Sequence, residues 1–188
     1  MKTLSKLCQA LMPLFRKNNL RRWTKVSQEI PSWDARNRLI AGIVPPGSSV
    51  LDIGAGAQTL RRHLRETSFY TPCDLVQSTS DTILCDFNNG LIPTGLPRHD
   101  FAICSGVLEY IRTPAPFLKL LREHGRQVIL SYNVRLPEDS LVDRLANDWV
   151  NNYNAAEIRQ LLIDHGLRPS AEHLFGQREV VFVLTPGA

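Results

Sequence analysis

Apolar residues in the body of the chain occur in short runs, separated by stretches with the spacing of amphipathic helices. The run Val50, Leu51 and Ile53 predicts a first buried strand. Further strands are predicted over residues 69–73, 82–85, 101–105 and 127–131, and helices over residues 33–44, 58–64, 116–124 and 155–165. Residues 170–175 and 179–184 suit a terminal hairpin. This order predicts an α/β fold: a Rossmann-like, doubly wound, mostly parallel seven-stranded sheet with an antiparallel C-terminal strand.

The N-terminal residues follow a different pattern. Apolar side chains recur at helical spacing at Leu4, Leu7, Cys8, Leu11, Leu14 and Phe15. Residues 1–25 contain seven Lys and Arg residues and no acid, so the rest of the chain has 15 basic and 18 acidic residues. We therefore predict a basic, amphipathic N-terminal extension of residues 1–30 and a domain of residues 31–188. The extension either covers the domain, docks on a protein partner or binds an anionic membrane surface.

The composition excludes several classes of protein. The chain has 188 residues, of which 43% are hydrophobic and 21% charged, as expected for one domain with its own core. No apolar run approaches the roughly 20 residues that span a bilayer. The four cysteines form no C-x-x-C pair and the histidines are scattered. We expect reduced thiols, no metal site and a cytoplasmic location, either free or peripheral at the inner membrane surface.

Four groups of residues are predicted to converge at the carboxyl edge of the sheet, where open parallel sheets bind ligands. The turn Gly54-Ala55-Gly56 lets a ligand approach a helix N-terminus with free N–H groups. Asp74 ends the second strand, and its carboxylate can accept hydrogen bonds from both hydroxyls of a ribose. The pair Asp86-Phe87 suits the amine and the face of an adenine base. The fourth group, residues 105–110, follows the fourth strand.

The sequence around these groups resembles the class I S-adenosylmethionine-dependent methyltransferases. The stretch from Val50 to Gly56 looks like their first motif, Asp74 matches their ribose-binding acid, and Asp86-Phe87 matches their adenine-contacting motif. Residues 99–111 resemble their fourth motif, and the similarity covers residues 33–185. The resemblance implies S-adenosylmethionine as the cofactor. The predicted cofactor-binding residues are Asp52, Gly54, Ala55, Gly56, Asp74, Asp86, Phe87 and Ser105.

The sequence departs from that family at two positions. Gln58 stands where the family often has a third glycine, which alters contacts to the methionine end of the cofactor. Tyr110 stands where the family often has His. In addition, Thr59 occupies the last glycine position of the dinucleotide motif G-x-G-x-x-G, which disfavours an NAD-dependent oxidoreductase.

The resemblance implies in-line displacement of a methyl group from a sulfonium, for which alignment of the acceptor is the main requirement. Glu109 and Tyr110 are the predicted catalytic residues, as bases for the proton of the acceptor. Alternatively, Glu109 is a charge at a helix start and Tyr110 is a half-buried packing residue. His124 and Tyr132-Asn133 are further candidates, although His124 also suits a helix C-terminus. We expect Asp52 to fix the glycine turn through backbone N–H groups.

Other side chains have competing interpretations. Arg36 either binds the carboxylate of the cofactor or forms a surface salt bridge. Trp149 and Tyr153 either line the acceptor pocket or pack in the core, and His63 is expected to be solvated.

The leading hypothesis is methyl transfer to a small-molecule, sugar or lipid-linked acceptor. Nucleic acid is not an expected partner, because an N/D-P-P-Y-type tetrad is absent after the fourth strand and the body of the chain is not basic. The alternative is a non-catalytic methyltransferase-like module that binds or regulates a partner through its N-terminal arm, and methyl transfer to any acceptor would exclude it.

Overall fold

The computed structural model describes residues 19–25, 31–66 and 69–187. The predicted amphipathic helix from Leu4 to Phe15 lies outside these residues. The helices are α1 (Leu20–Lys25), α2 (Pro31–Ile43), α3 (Thr59–His63), α4 (Pro114–His124), α5 (Leu141–Ala146) and α6 (Ala155–Asp164). The strands are β1 (Ser49–Ile53), β2 (Phe69–Asp74), β3 (Ile83–Leu84), β4 (His99–Ser105), β5 (Gly125–Asn133), β6 (Leu167–Phe175) and β7 (Glu179–Pro186). Short 3-10 helices lie at Phe87–Asn89 and Leu108–Tyr110.

The described strands form one seven-stranded sheet in the order β3-β2-β1-β4-β5-β7-β6. β1 pairs in parallel with β2 and β4, and β7 runs antiparallel to both β5 and β6. The chain winds outward from β1 in one direction and from β4 in the other, so the carboxyl ends of β1 and β4 form the switch point of the sheet. The predicted fold class is confirmed.

Helices cover both faces of the sheet. Successive residues of a strand point to opposite sides, so an apolar strand contributes to a core on each face. Phe101 and Ile103 of β4 belong to a core with α2 and α3, whereas Ala102 and Cys104 belong to a core with α4 and α6. The buried residues of the first core include Ile40, Val44, Val50, Leu60 and Ile129. Those of the second include Leu51, Phe117, Leu118, Leu130, Ile158 and Leu162. Burial on both faces explains why the central strands are continuous apolar runs.

The observed elements differ from the predicted ones mainly at their ends. β3 has two residues where four are predicted, because Asp86 exchanges backbone hydrogen bonds with Leu91 and turns the chain back. The sequence pattern also missed α5, a short helix whose N-terminus is capped by the Ser140 hydroxyl. α6 was predicted, and Asn154 and Glu157 form a capping box at its start.

Helix α1 lies against the body of the domain at the carboxyl end of the sheet. The Trp23 ring packs edge-on against Tyr110 with a centroid distance of 4.7 Å. Arg22 and Asn19 both donate to the Asp148 carboxylate, at 2.9 Å and 2.8 Å. Part of the predicted N-terminal extension therefore contacts the segment that holds Tyr110.

The described cysteines are buried and unpaired: Cys73, Cys85 and Cys104. Burial raises the pKa of the Cys73 thiol to about 12. These side chains act as small hydrophobes in the core, whereas Cys8 lies outside the described residues. Among the described helices, none is long and apolar enough to cross a bilayer.

Two glycine substitutions test the packing of the sheet. A Cβ on Gly125 would lie 2.6 Å from the Gln127 carbonyl oxygen and 2.7 Å from the Ala102 Cβ, whereas a Cβ on Gly42 has nothing within 4 Å. We expect Gly125→Ala to lower the free energy of unfolding by about 1–3 kcal/mol through overpacking. The matched control Gly42→Ala, near the end of α2, should raise it by up to about 1 kcal/mol. Urea denaturation measures both, and equal stabilities would contradict the packing at Gly125.

Candidate functional site

The glycine turn is tied to the end of β2 by its backbone. The amides of Gly54 and Ala55 both donate to the Cys73 carbonyl oxygen, at 2.8 Å and 3.1 Å. Gly54 has φ +79°, and a Cβ there would lie 2.1 Å from Val107 Cγ2, so packing against the segment after β4 requires glycine. Gly56 has φ +51°, and a Cβ there would meet nothing within 4 Å. Gly56 is therefore the position at which a ligand can approach the turn.

Asp74 joins the same turn to the residues after β2. Its carboxylate accepts from Gly56 N at 2.8 Å and from Val76 N at 2.9 Å, one bond to each oxygen. Burial raises the pKa of Asp74, and these backbone hydrogen bonds oppose the rise. Each carboxylate oxygen has two lone pairs, so both keep a free acceptor site for a ligand hydroxyl.

Four amides of the turn, those of Gly54, Ala55, Gly56 and Gln58, have acceptors inside the protein. Besides the amides that bind Cys73 and Asp74, Gln58 N donates to the Ala55 carbonyl oxygen at 2.7 Å. α3 has only five residues, and its preceding residue, Gln58, offers no side-chain cap. The turn offers a ligand the open space over Gly56 and the Asp74 carboxylate beside it.

Asp52 does not fix the glycine turn, which corrects the sequence prediction. Its side chain lies on the α2 side of the sheet and accepts a short hydrogen bond from the Tyr70 hydroxyl. Only 2% of the residue is exposed. Burial raises the pKa of Asp52 from 3.8 to about 7, with Tyr70 lowering it and the charge of Asp74 adding to the rise. The Cys73 carbonyl and Asp74 hold the turn instead.

Asp86 and Phe87 lie at the predicted place after β3. Asp86 precedes the 3-10 helix and accepts from Asn89 N at 3.2 Å and from Asn89 Nδ2 at 2.6 Å. The Phe87 ring packs edge-on against Phe117, 4.9 Å between centroids. Asn88, the residue after Phe87, donates to the Tyr110 carbonyl oxygen at 2.8 Å. This contact brings the third and fourth predicted groups together.

Ser105 ends β4 inside a polar network that the sequence did not indicate. Its hydroxyl donates to Asn37 Oδ1 at 2.9 Å, and Asn37 in turn donates to the Thr59 hydroxyl. Its carbonyl oxygen accepts from Arg36 Nη2 at 3.2 Å. The end of β4 is thereby linked to α2 and to the start of α3.

Arg36 forms a buried ion pair in place of the surface salt bridge that was one of its two interpretations. Its Nη1 donates to Glu179 Oε1 at 2.7 Å, and the two side chains are only 7% and 10% exposed, so the pair is buried and not a surface salt bridge. A Cβ on Gly106 would lie 2.7 Å from the same Nη1, so the guanidinium lies directly over that glycine. Arg36 Nε is buried without a protein partner. The Arg36–Glu179 pair was missed because 143 residues separate its members.

Glu109 lies in the first turn of the Leu108–Tyr110 3-10 helix, as one of its two interpretations has it, but its side chain is fully buried. Its Oε1 accepts from both the backbone N and the Nδ2 of Asn133, each at 2.8 Å, while its Oε2 is buried without a protein partner. Burial raises the pKa of the Glu109 carboxyl against the lowering effect of Asn133. A buried carboxyl with one unused oxygen is a candidate acid or base.

Tyr110, the residue after Glu109, contacts the side chains of two tryptophans. Its hydroxyl accepts from Trp149 Nε1 at 3.2 Å, and its ring contacts Trp23. Burial raises the pKa of Tyr110 to about 12, so the phenol stays protonated at neutral pH. The guanidinium of Arg144 lies 4.7 Å from the Trp149 ring centroid. Tyr110 and Trp149 therefore share one cluster, as the pocket-wall interpretation of Trp149 requires.

The remaining candidates lie elsewhere or act in the scaffold. Tyr132 is fully buried, and its hydroxyl donates to Asn151 at 2.6 Å and accepts from Tyr153 N at 3.1 Å. Tyr153 also lines an open groove of about 590 Å³ beside α6. His124 is the last residue of α4, as predicted. His63 is paired with Asp34 at 2.6 Å and only 22% of its side chain is exposed, so the prediction of a solvated side chain is wrong.

Comparison with known proteins identifies the fold. No family model and no curated protein match the sequence. A chain of the Haloferax volcanii complex between the Trm112 methyltransferase activator and a methyltransferase matches with a TM-score of 0.65 and 15% identity, over 83% of this chain and 90% of that one. The Burkholderia thailandensis 1,6-didemethyltoxoflavin-N1-methyltransferase was solved with bound 1,6-didemethyltoxoflavin and S-adenosylhomocysteine. It matches with a TM-score of 0.61 and 16% identity, over 84% of this chain and 79% of that one. A SAM-dependent methyltransferase from Aquifex aeolicus matches with a TM-score of 0.60 and 16% identity, over 90% of this chain and 99% of that one. This protein has the fold of S-adenosylmethionine-dependent methyltransferases.

The raised pKa of Asp52, about 7 against an ordinary 3.8, predicts a pH effect on stability. Between these values the folded protein keeps a proton that the unfolded chain releases, so stability is lost as the pH rises through that range. We expect the urea midpoint of the wild type to fall between about pH 4 and pH 7 and to level off above that range, and Asp52→Asn to remove much of that fall. The exposed control Asp164→Asn should follow the wild type. A parallel decline in Asp52→Asn would show that Asp52 is ionised in the folded protein.

Proposed function

We propose that this protein transfers a methyl group from S-adenosylmethionine to a small-molecule, sugar or lipid-linked acceptor. The observation that carries the proposal is the junction of β1 and β2, where the Asp74 carboxylate accepts from Gly56 N at 2.8 Å beside open space over Gly56. This junction lies at the carboxyl edge of the sheet, next to the switch point between β1 and β4, and the chain matches methyltransferases in fold. The likeness in fold and the sequence motifs support the same conclusion.

The residues present fit this cofactor. Asp74 has free lone pairs on both oxygens for the hydroxyls of the ribose, and Gly56 leaves room for the nucleoside. Asp86-Phe87 is proposed to contact the adenine. Arg36 Nε, buried without a partner beside Ser105 and Gly106, is a donor available to the methionine carboxylate. When bound, the cofactor supplies a methyl group on a sulfonium, which is a good leaving group.

Glu109 is proposed as the base that takes the acceptor's proton, with Tyr110 beside it. The raised pKa of Glu109 brings its carboxyl closer to neutrality, where a general base is most effective. Tyr110, with a pKa of about 12, suits a role as hydrogen-bond donor that orients the acceptor. Its hydroxyl accepts from Trp149, so its own proton is free to be donated.

The acceptor class rests on the aromatic cluster and on the neighbours. Trp23, Tyr110 and Trp149 lie together at the carboxyl edge, as a wall for an apolar or planar molecule. The Burkholderia thailandensis enzyme was solved with a small molecule, and the Haloferax volcanii protein with an activator protein. The Haloferax volcanii complex favours the interpretation that residues 1–25 bind a protein partner. The cytoplasmic location and the peripheral membrane contact stay proposals.

Binding of the cofactor is the first test. We expect calorimetry to detect S-adenosylhomocysteine binding, and Asp74→Asn to weaken it about tenfold or more by removing a charge-assisted acceptor. The control Asp164→Asn should bind as the wild type does. Folded wild-type protein that binds neither S-adenosylmethionine nor S-adenosylhomocysteine at high micromolar concentration would refute the proposed function.

Turnover is the second test, because it also decides against the non-catalytic alternative. We expect labelled methyl to pass from S-adenosylmethionine into a fraction of a metabolite extract. With that fraction, Glu109→Gln should lose about 100-fold or more in rate, as expected for a general base, with little change in cofactor affinity. Tyr110→Phe should act mainly on acceptor affinity. Full activity of Glu109→Gln would assign Glu109 a structural role, and the exposed Glu138→Gln serves as its control.

A further inference from the structure

Gln58 has a conformation that normally favours glycine. Its φ and ψ are +54° and +36°, in the left-handed region. Only 6% of the residue is exposed. A non-glycine residue is strained there, so surrounding contacts must hold it in place.

Those contacts reach the connection between β2 and β3. Gln58 Nε2 donates to the Thr79 hydroxyl and, at 3.2 Å, to Asp81 Oδ1. Arg61 Nη1 donates to Gln58 Oε1 and to Asp81 Oδ2, both at 2.9 Å. Thr79 donates to Asp81 at 2.6 Å and lies 2.7 Å from the Thr82 hydroxyl. Both ends of the Gln58 amide are therefore used.

The same two segments are joined a second time by Asp74. Its carboxylate binds Gly56 N in the glycine turn and Val76 N at the start of the β2–β3 connection, while Gln58 binds Thr79 and Asp81 further along that connection. We propose that Gln58 is a positioning residue that holds residues 78–82 against the glycine turn and so preforms one wall of the cofactor site. This inference rests on the proposed function.

The charge on Asp81 persists under all ordinary conditions. Hydrogen bonds from Thr79 and Gln58 hold the pKa of Asp81 at about 2. Arg61, which bridges Asp81 and Gln58, also lies over the Tyr70 ring at 5.1 Å, and Tyr70 binds Asp52. We call the hydrogen bonds that join Gln58, Thr79, Asp81 and Arg61 the clamp. The clamp is connected to the end of β1 through Tyr70, so this wall of the site is ordered without a ligand. Prior ordering of this kind lowers the entropic cost of binding.

Two substitutions at one position separate the clamp from the backbone strain. Gln58→Gly removes both, whereas Gln58→Ala removes the clamp and keeps the strain. Thr79→Val leaves Gln58 in place and removes the hydroxyl to which its Nε2 donates. The control is Glu66→Gly, which relieves a positive φ of 49° at an exposed residue. Hydrogen exchange of the protein without ligand and calorimetry with S-adenosylhomocysteine are the two measurements.

We expect amide exchange in residues 78–82 to rise about tenfold in both Gln58 variants and in Thr79→Val, with S-adenosylhomocysteine binding about five- to tenfold weaker. Glu66→Gly should match the wild type in both measurements. Wild-type exchange and affinity in Gln58→Gly would overturn the inference, and an effect in Gln58→Ala alone would assign the role to strain. If the wild type binds no S-adenosylhomocysteine, the proposed function fails, while exchange without ligand still decides whether Gln58 holds the connection.

Discussion

The site depends on one constraint, the attachment of the glycine turn to the end of β2. The Cys73 carbonyl oxygen accepts from two consecutive amides of the turn, Gly54 and Ala55, and the next residue, Asp74, accepts from Gly56. Parallel pairing of β1 with β2 thereby continues past the last residue of β1. The turn cannot shift without breaking hydrogen bonds to two adjacent residues of β2, so the position of Asp74 and the space over Gly56 are set together. Val107 then packs against Gly54 and fixes the segment that carries Glu109.

The fold was predictable because local and global preferences agree along most of the chain. Buried parallel strands appear as apolar runs, and the Asn154-x-x-Glu157 box marks the start of α6 in the sequence itself. The site was predictable in part, since Asp74 follows a strand whose place in the sheet is known. The Arg36–Glu179 pair was not, because only the complete topology brings together residues that lie in α2 and β7. The burial of Glu109 was not predictable, because it depends on Asn133 and on Val150, whose amide binds the Glu109 carbonyl oxygen.

Buried charge is concentrated where β4, β5 and β7 meet. Arg36 and Glu179 form a neutral pair, and Glu109 nearby keeps one oxygen without a partner, as Arg36 keeps its Nε. Burying such groups costs free energy unless every polar atom is bonded, so a domain selected for stability alone would replace them with apolar side chains. The unused donor of Arg36 and the unused acceptor of Glu109 lie at the carboxyl edge of the sheet, where open parallel sheets bind ligands, and this placement is why the proposed function assigns both residues to the site.

The hydrogen bonds that the turn amides already make also bear on which nucleotide cofactor suits the turn. A dinucleotide needs free N–H groups at the glycine turn for its pyrophosphate, but here the amides of Gly54, Ala55 and Gly56 are donated to Cys73 and Asp74. A phosphate beside Gly56 would face the Asp74 carboxylate. S-adenosylmethionine carries no phosphate and has positive charge on its sulfonium and ammonium groups. With the amides of Gly54, Ala55 and Gly56 satisfied internally and the Asp74 carboxylate beside them, this part of the turn disfavours a phosphate and favours a cationic ligand, which adds to the missing third glycine as an argument against a dinucleotide.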